Sequence, residues 1–351
     1  MRSQTKILSK ENIIRKLADF VLLNSCSINS SGLYNGKAGM ALALFEIARC
    51  LHDEYIEERA SELLQESLLS KNEDIGFENG LSGIGFTLLY LIRNRFVDAD
   101  FEELFGHNLS KILKVLKEWK DRDLSDLLFN NLKIVYFLDD VLQNGRSSTI
   151  SPYIKLFLAT VESHLLKWFN DVKNANLLIQ NSKIDQLESF EEYLKIICNC
   201  KLFEPSYHIL TSYSLLYMNG EYVSNIFIGH YLRMISIERG SGELEVIAEK
   251  NTKYAIMDIH PETMSLMQRL NLLYLLTSFY QDRCSEYIKL LEEGLVNIKE
   301  QNSQEKDLLH GFQSTSSIAG YQSGMSRLLL YWVYRKNLEE HMDCTRFKKI
   351  L

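Results

Sequence analysis

The chain has 351 residues, 46% of them hydrophobic and 24% charged, with a formal net charge of −7. This is an ordinary globular composition, long enough for a large core, and its charge argues against nucleic acid or an anionic membrane surface as the main partner. No apolar stretch reaches the about 18–20 residues needed to cross a bilayer, the first residues lack a signal-peptide pattern, and six scattered cysteines point to a reducing cytoplasm.

The mixed segment Ile7 to Leu23 precedes the phrase Gly32-Leu33-Tyr34-Asn35-Gly36-Lys37-Ala38-Gly39. The phrase returns as Gly76-Phe77-Glu78-Asn79-Gly80-Leu81-Ser82-Gly83, about 44 residues on, a spacing in the range of two-helix repeats. Each copy leads into an apolar run, Met40 to Leu51 and Ile84 to Ile92, and neither run has a wide polar face. Helices apolar nearly all round are buried, so these are read as inner helices, with Asn35 and Asn79 placed to cap them. Between the copies, Ile56, Ala60, Leu63, Leu64 and Leu68 recur at helical spacing while glutamates fill the other positions of Glu54 to Leu69. That segment is an outer, half-exposed helix.

Further along, Lys111, Lys114, Lys117 and Lys120 read as the solvated face of one helix. A weaker third copy, Leu127 to Ile134, keeps Asn130 but has no glycine. Ser151-Pro152 is expected to start a helix, since serine caps and proline is tolerated at the first helical position. Asn174 to Cys200 breaks the pattern and reads as an insertion with a short helix at Phe190 to Cys198. Ser206-Tyr207 and Glu262-Thr263, each after a proline, are expected to open two more inner helices, and Gly240 to Glu249 reads as a loop with a short strand. A clear terminal copy, Gly320-Tyr321-Gln322-Ser323-Gly324-Met325-Ser326-Arg327, runs into Leu328 to Tyr334. Helical hairpins repeated at both ends, with no linker to divide them, predict one all-α domain over residues 1–351, an α/α toroid of inner apolar and outer amphipathic helices.

Gly36-Lys37 is not the end of a phosphate loop: a Walker A motif needs four residues between its glycines and Ser or Thr after the lysine, whereas Leu33-Tyr34-Asn35 and Ala38 stand here. The glycines read instead as sites of close approach between helix ends and turns. Helix N-termini gathered at one end of a barrel would present backbone N–H groups to a ligand, which makes the turns at Asn35, Gly36, Asn79, Gly80, Ser323 and Gly324 the candidate ligand site. For a metal, the compositional candidates are Cys198, Cys200, His208 and His310, in a spacing that matches no zinc signature. The paired carboxylates Asp139/Asp140 and Glu191/Glu192 read as solvated helix faces, and no nucleophile with its base stands out.

The three glycine phrases and the apolar helices after them resemble the repeats of the lanthionine synthetase C-like family. The resemblance implies an α/α toroid with glycine-rich turns. It also implies cyclase chemistry, in which one zinc held by two cysteines and a histidine, part of a Cys-His-Gly sequence, activates a peptide cysteine thiolate for addition to a dehydrated Ser or Thr. No Cys-His pair occurs anywhere in this chain, so no ligand of the family carries over. The leading expectation is a divergent, non-catalytic family member that binds a precursor peptide or a peptide-modifying enzyme. The alternatives are an active zinc cyclase with rearranged ligands, a carbohydrate-active α/α toroid using tyrosines such as Tyr34, Tyr207 and Tyr321 beside carboxylates, and a helical interaction scaffold.

Overall fold

A computed structural model describes residues 10–120, 131–145, 147–174, 184–200, 206–219, 225–257, 259–260, 264–297, 319–321 and 324–351. Among these residues the regular structure is helical, with no strand, and no helix is long and apolar enough to cross a membrane. They fall into two compact units, one of residues 1–112 with 260–351 and one of residues 113–259.

The first unit holds α1 (Lys10–Ser25), α2 (Lys37–Leu51), α3 (Glu54–Leu68), α4 (Leu81–Arg93) and most of α5 (Phe101–Lys120), then α12 (Leu266–Phe279), α13 (Ser285–Asn297) and α14 (Met325–Glu339). As the apolar runs require, α2 is buried from Ala38 through Ala48, α4 from Leu81 through Leu91 and α14 from Ser326 through Tyr334. Helix α3 buries Ile56, Ala60, Leu63, Leu64 and Ser67 and turns Glu57, Glu58, Glu62 and Glu66 to solvent. It packs on α2, which also meets α4, α1 and α14. Contacts of α14 with α1 and α2 bring the last helix of the chain against the first two. On α5, Lys111, Lys114 and Lys117 lie exposed, as the charge pattern predicts.

The second unit holds α6 (Ile134–Gln143), α7 (Ser147–Asn174), α8 (Ile184–Asn199), α9 (Tyr207–Asn219), α10 (Ile226–Arg239) and α11 (Gly242–Met257). Helices α10 and α11 form a close hairpin in which a Cβ on Gly229 would stand 2.7 Å from the Thr252 hydroxyl and 2.9 Å from Asn251 Cβ. Asn225 caps α10 through side-chain bonds from Phe227 and Ile228 N–H, and Gly240 ends it in the left-handed region at φ 65°.

Four expected elements change. The segment read as a loop with a short strand is α11: Leu244, Ile247, Ala248 and Asn251 bury one helical face, and that packing overrides the alternation near Gly242. Helix α7 begins at Ser147 rather than Ser151, so Pro152 stands inside it and not at the first helical position, where proline is tolerated best. Helix α8 spans 16 residues instead of the short piece at Phe190 to Cys198. Tyr207 does open α9, whereas α12 starts after Ser265, which forms a capping box with Gln268. Asn174 ends α7, and residues 175–183 of the expected insertion, the third phrase before Asn131 and Glu262-Thr263 lie outside the described residues.

Candidate functional site

The glycine phrases share one conformation. The N-caps of α2, α4 and α14 are Gly36 (φ −137°, ψ −177°), Gly80 (φ −108°, ψ −170°) and Gly324 (φ −108°, ψ −166°), none with a side-chain cap. The expected caps Asn35 and Asn79 sit one residue too early. The loop ahead of each phrase does their work with its carbonyls: Lys37 N–H donates to Ser30 O at 3.0 Å, Ala38 N–H to Ser31 O at 3.3 Å and Leu81 N–H to Asp74 O at 2.7 Å. At the seventh position, Ser82 Oγ donates to Ile75 O at 2.6 Å and Ser326 Oγ to Ala319 O at 2.5 Å. First-turn donors of α2 and α4 that a ligand could have used are thus engaged by the loop ahead of the phrase.

Steric need explains the glycines. A Cβ on Gly36 would lie 2.5 Å from Gly32 N, and one on Gly80 2.5 Å from Gly76 N. A Cβ on Gly39 would lie 1.9 Å from Leu33 O and 2.5 Å from Tyr321 Cβ; one on Gly83 would lie 2.1 Å from Phe77 O and 2.8 Å from Leu33 Cβ. The phrases are therefore stacked in a fixed order, each closing glycine receiving the second residue of the neighbouring copy. Backbone bonds join the same neighbours: Tyr34 N–H to Glu78 O at 2.8 Å, and Tyr321 N–H to Tyr34 O at 2.7 Å. The Tyr34 ring stands 6.3 Å from both Phe77 and Tyr321. Of the turn candidates, Asn35 is half-buried with its Oδ1 buried and lacking a hydrogen-bond partner, Asn79 is exposed, and Ser323 lies outside the described residues.

Two buried polar groups in the first unit were not singled out from the sequence. Glu46, the one acid within the apolar run of α2, is fully buried and accepts from Tyr90 Oη at 2.5 Å and from Arg346 Nε at 3.0 Å and Nη2 at 3.1 Å. Burial disfavours the Arg346 cation, yet Glu46 outweighs it and raises its pKa; burial and then Glu46 raise that of Tyr90. Arg327 occupies the eighth position of the terminal phrase, where the other copies have glycine, and its Nη2 donates to Asn271 Oδ1 at 2.7 Å and to Leu351 O at 2.5 Å. Each carried a signal: a lone acid in an apolar helix needs a partner, and a broken repeat position needs a cause.

In the second unit the paired carboxylates are not solvated faces. Asp139 and Asp140 are buried on α6, where Gln143 Nε2 donates to Asp139 Oδ2 at 2.7 Å. Glu191 and Glu192 are half-buried on α8: Tyr136 Oη donates to Glu192 Oε1 at 2.5 Å, and Asn225 Nδ2 approaches Glu191 Oε2 at 3.4 Å. Burial first, and Glu192 second, push the Glu191 carboxyl up to about 7. Helix burial is decided by tertiary neighbours, which a pair of adjacent acids does not disclose.

The metal candidates do not converge. Cys200 is fully buried, Cys198 is half-buried with its Sγ 3.7 Å from Tyr231 O, and His208 is exposed on α9. His310 lies outside the described residues. Among the described residues no three His, Cys, Asp or Glu side chains are grouped to hold a metal ion, and Cys198, Cys200 and His208 are not brought together as the zinc ligands that the family implies. Burial raises the pKa of the Cys50, Cys284 and Cys344 thiols, away from the thiolate. Of the sugar-stacking tyrosines, Tyr34 and Tyr321 lie side by side, half-buried and buried, whereas Tyr207 is exposed on α9.

A family profile described as lanthionine synthetase C-like protein matches residues 27–202. Among solved structures the chain is similar to one titled nisin cyclase, with a TM-score of 0.64 and 13% identity over 97% of this chain and 99% of that one. No curated protein sequence matches. The likeness shows the fold to be the expected all-α, α/α-toroid class.

Proposed function

Because the chain belongs to the lanthionine synthetase C-like family, we propose that it is a divergent member that binds a ribosomally made peptide during its maturation and does not itself form thioethers through zinc. The observation that carries the reading is the dispersal of the thiols and imidazoles: a family member without a Cys-His pair has its remaining local donors, Cys198, Cys200 and His208, on differently buried positions. Peptide binding is placed at the turns around Asn35, Gly36, Asn79, Gly80 and Gly324. Its support there is the stacking of the three phrases, which gathers the N-termini of α2, α4 and α14. A single domain working in the reducing cytoplasm belongs to the same proposal.

The test is metal content and peptide binding on the full chain purified without a nickel step, beside a Cys198→Ala/Cys200→Ala variant. Saturable binding of a dehydrated, cysteine-containing precursor peptide, equal in both proteins and without loss of peptide thiol, supports the reading. About one zinc per chain, lost in the variant together with thiol addition, overturns it in favour of a cyclase with rearranged ligands.

A further inference from the structure

The last residues of the sequence are seated in the first unit like a bound peptide. Thr345–Lys349 forms a short 3-10 helix, Phe347 is fully buried against Tyr334 at a ring distance of 5.7 Å, and Ile350 and Leu351 are 1% and 5% exposed. Arg346 fastens the segment to the buried Glu46, while its Nη1 donates to Asp343 O at 2.8 Å. Beyond that clamp, main-chain carbonyls are read by buried side chains. Tyr321 Oη donates to Ile350 O, and Arg327 Nη2 donates to Leu351 O at 2.5 Å while Asn271 Oδ1 holds the same nitrogen at 2.7 Å.

Two features single this segment out. Arg327 is only 8% exposed, and its Nε has no hydrogen-bond partner, so the pocket keeps a buried donor that the segment leaves unused. Arg327 also departs from the repeat: Gly39 and Gly83, its counterparts, admit no side chain, whereas here an arginine was installed and aimed at a carbonyl. Recognition runs through carbonyl oxygens rather than through Ile350 and Leu351 side-chain polarity, because those side chains have none. Any peptide presenting the same carbonyls with aliphatic side chains meets the same donors.

We propose that Tyr321, Arg327 and Asn271 form a peptide-binding pocket, and that Thr345–Leu351 is its internal occupant, displaced when another peptide with adjacent aliphatic residues enters. The inference stands on the first unit alone and survives if no precursor peptide binds at the turns.

The probe is a labelled synthetic heptapeptide, Thr-Arg-Phe-Lys-Lys-Ile-Leu, titrated into full-length protein. Ile350→Asp places a charge at a buried position and expels the internal segment, so the variant should bind the probe at one site. Its apparent affinity should be at least about tenfold above that of the unaltered chain, where the occupant competes. Adding Arg327→Gln should abolish that binding. The proposal is overturned if Ile350→Asp, with helical circular dichroism intact, binds no better than the unaltered chain, or if Arg327→Gln leaves binding unchanged. Should Ile350→Asp fail to fold, Arg346→Gln, which loosens the clamp outside the pocket, takes its place. Equality of that variant with the unaltered chain in the same titration overturns the proposal.

Discussion

The two units solve the same problem, starting buried helices without orphaned polar groups, by different means. In the glycine phrases of the first unit, backbone closes on backbone: loop carbonyls take the first N–H groups of α2 and α4, and glycines make room for the approach. Asp53 and Ser265 cap α3 and α12 of that unit with side chains. In the second, side chains do it, with Asn225 capping α10 and Tyr193 Oη and Ser206 N–H both donating to Glu162 Oε1. Their buried charges differ as well. Glu46 is matched by Arg346, whereas Glu191 lies beside another acid. Steric solutions leave a rigid sequence phrase, because few residues satisfy them; polar solutions can be reached by many residue types and leave none.

The largest expected effect tests the matched charge of the first unit. Arg346→Ala leaves Glu46 buried with only Tyr90 as a close donor, and unmaking a buried ion pair costs about 3–5 kcal/mol. Urea unfolding should show that loss, and a change below about 1 kcal/mol would mean that Glu46 rehydrates when the clamp opens. Next comes the steric solution. Gly83→Ala places a methyl 2.1 Å from Phe77 O and 2.8 Å from Leu33 Cβ, and overpacking of this kind costs about 1–3 kcal/mol. A neutral result in thermal unfolding would show that the phrases yield, and with them the contrast between the units.

The second unit is sharpened by pH. With its pKa raised from 4.5 to about 7, Glu191 in the folded chain holds a proton that the unfolded chain releases. The contribution to stability is therefore full below about pH 4.5, declines as pH climbs through 7, and levels off above it. Glu191→Gln keeps the approach of Asn225 and removes the titration, so it should leave stability at pH 5 nearly unchanged and raise it by about 1–2 kcal/mol at pH 8. Equal effects of the substitution at pH 5 and pH 8 would remove the buried like-charge account.

These differences also decide what could be read in advance. The phrases at Gly32, Gly76 and Gly320 disclosed the repeat, the fully buried helices and the fold class, since a close approach of turns admits glycine and little else. Asn35 and Asn79 misled as caps because the N-cap conformation falls on the following glycine, where no side chain fits. Glu46 and Arg327 were visible as exceptions to a pattern, but their partners Arg346 and Leu351 are distant in sequence. In the second unit, Asp139, Asp140, Glu191 and Glu192 looked like any solvated pair. Packing of α6 on α7 and of α8 on α10 is what separates them from water.

The smallest effect concerns a glycine that the repeat does not require. Gly242 opens α11, its φ is outside the left-handed region, and a Cβ built on it meets nothing within 4 Å. It stands in a Gly-Ser-Gly stretch that resembles a loop, yet the helix begins there because Leu244, Ile247 and Ala248 bury against the preceding hairpin partner. Gly242→Ala therefore introduces no clash and restricts the unfolded chain, which should stabilise by about 0.4–1 kcal/mol. Thermal unfolding of Gly242→Ala beside Gly83→Ala gives opposite signs if glycine is a steric necessity in the phrases and an incidental residue at α11. The same sign in both would mean that contact distances to a built Cβ do not govern which glycines this fold needs.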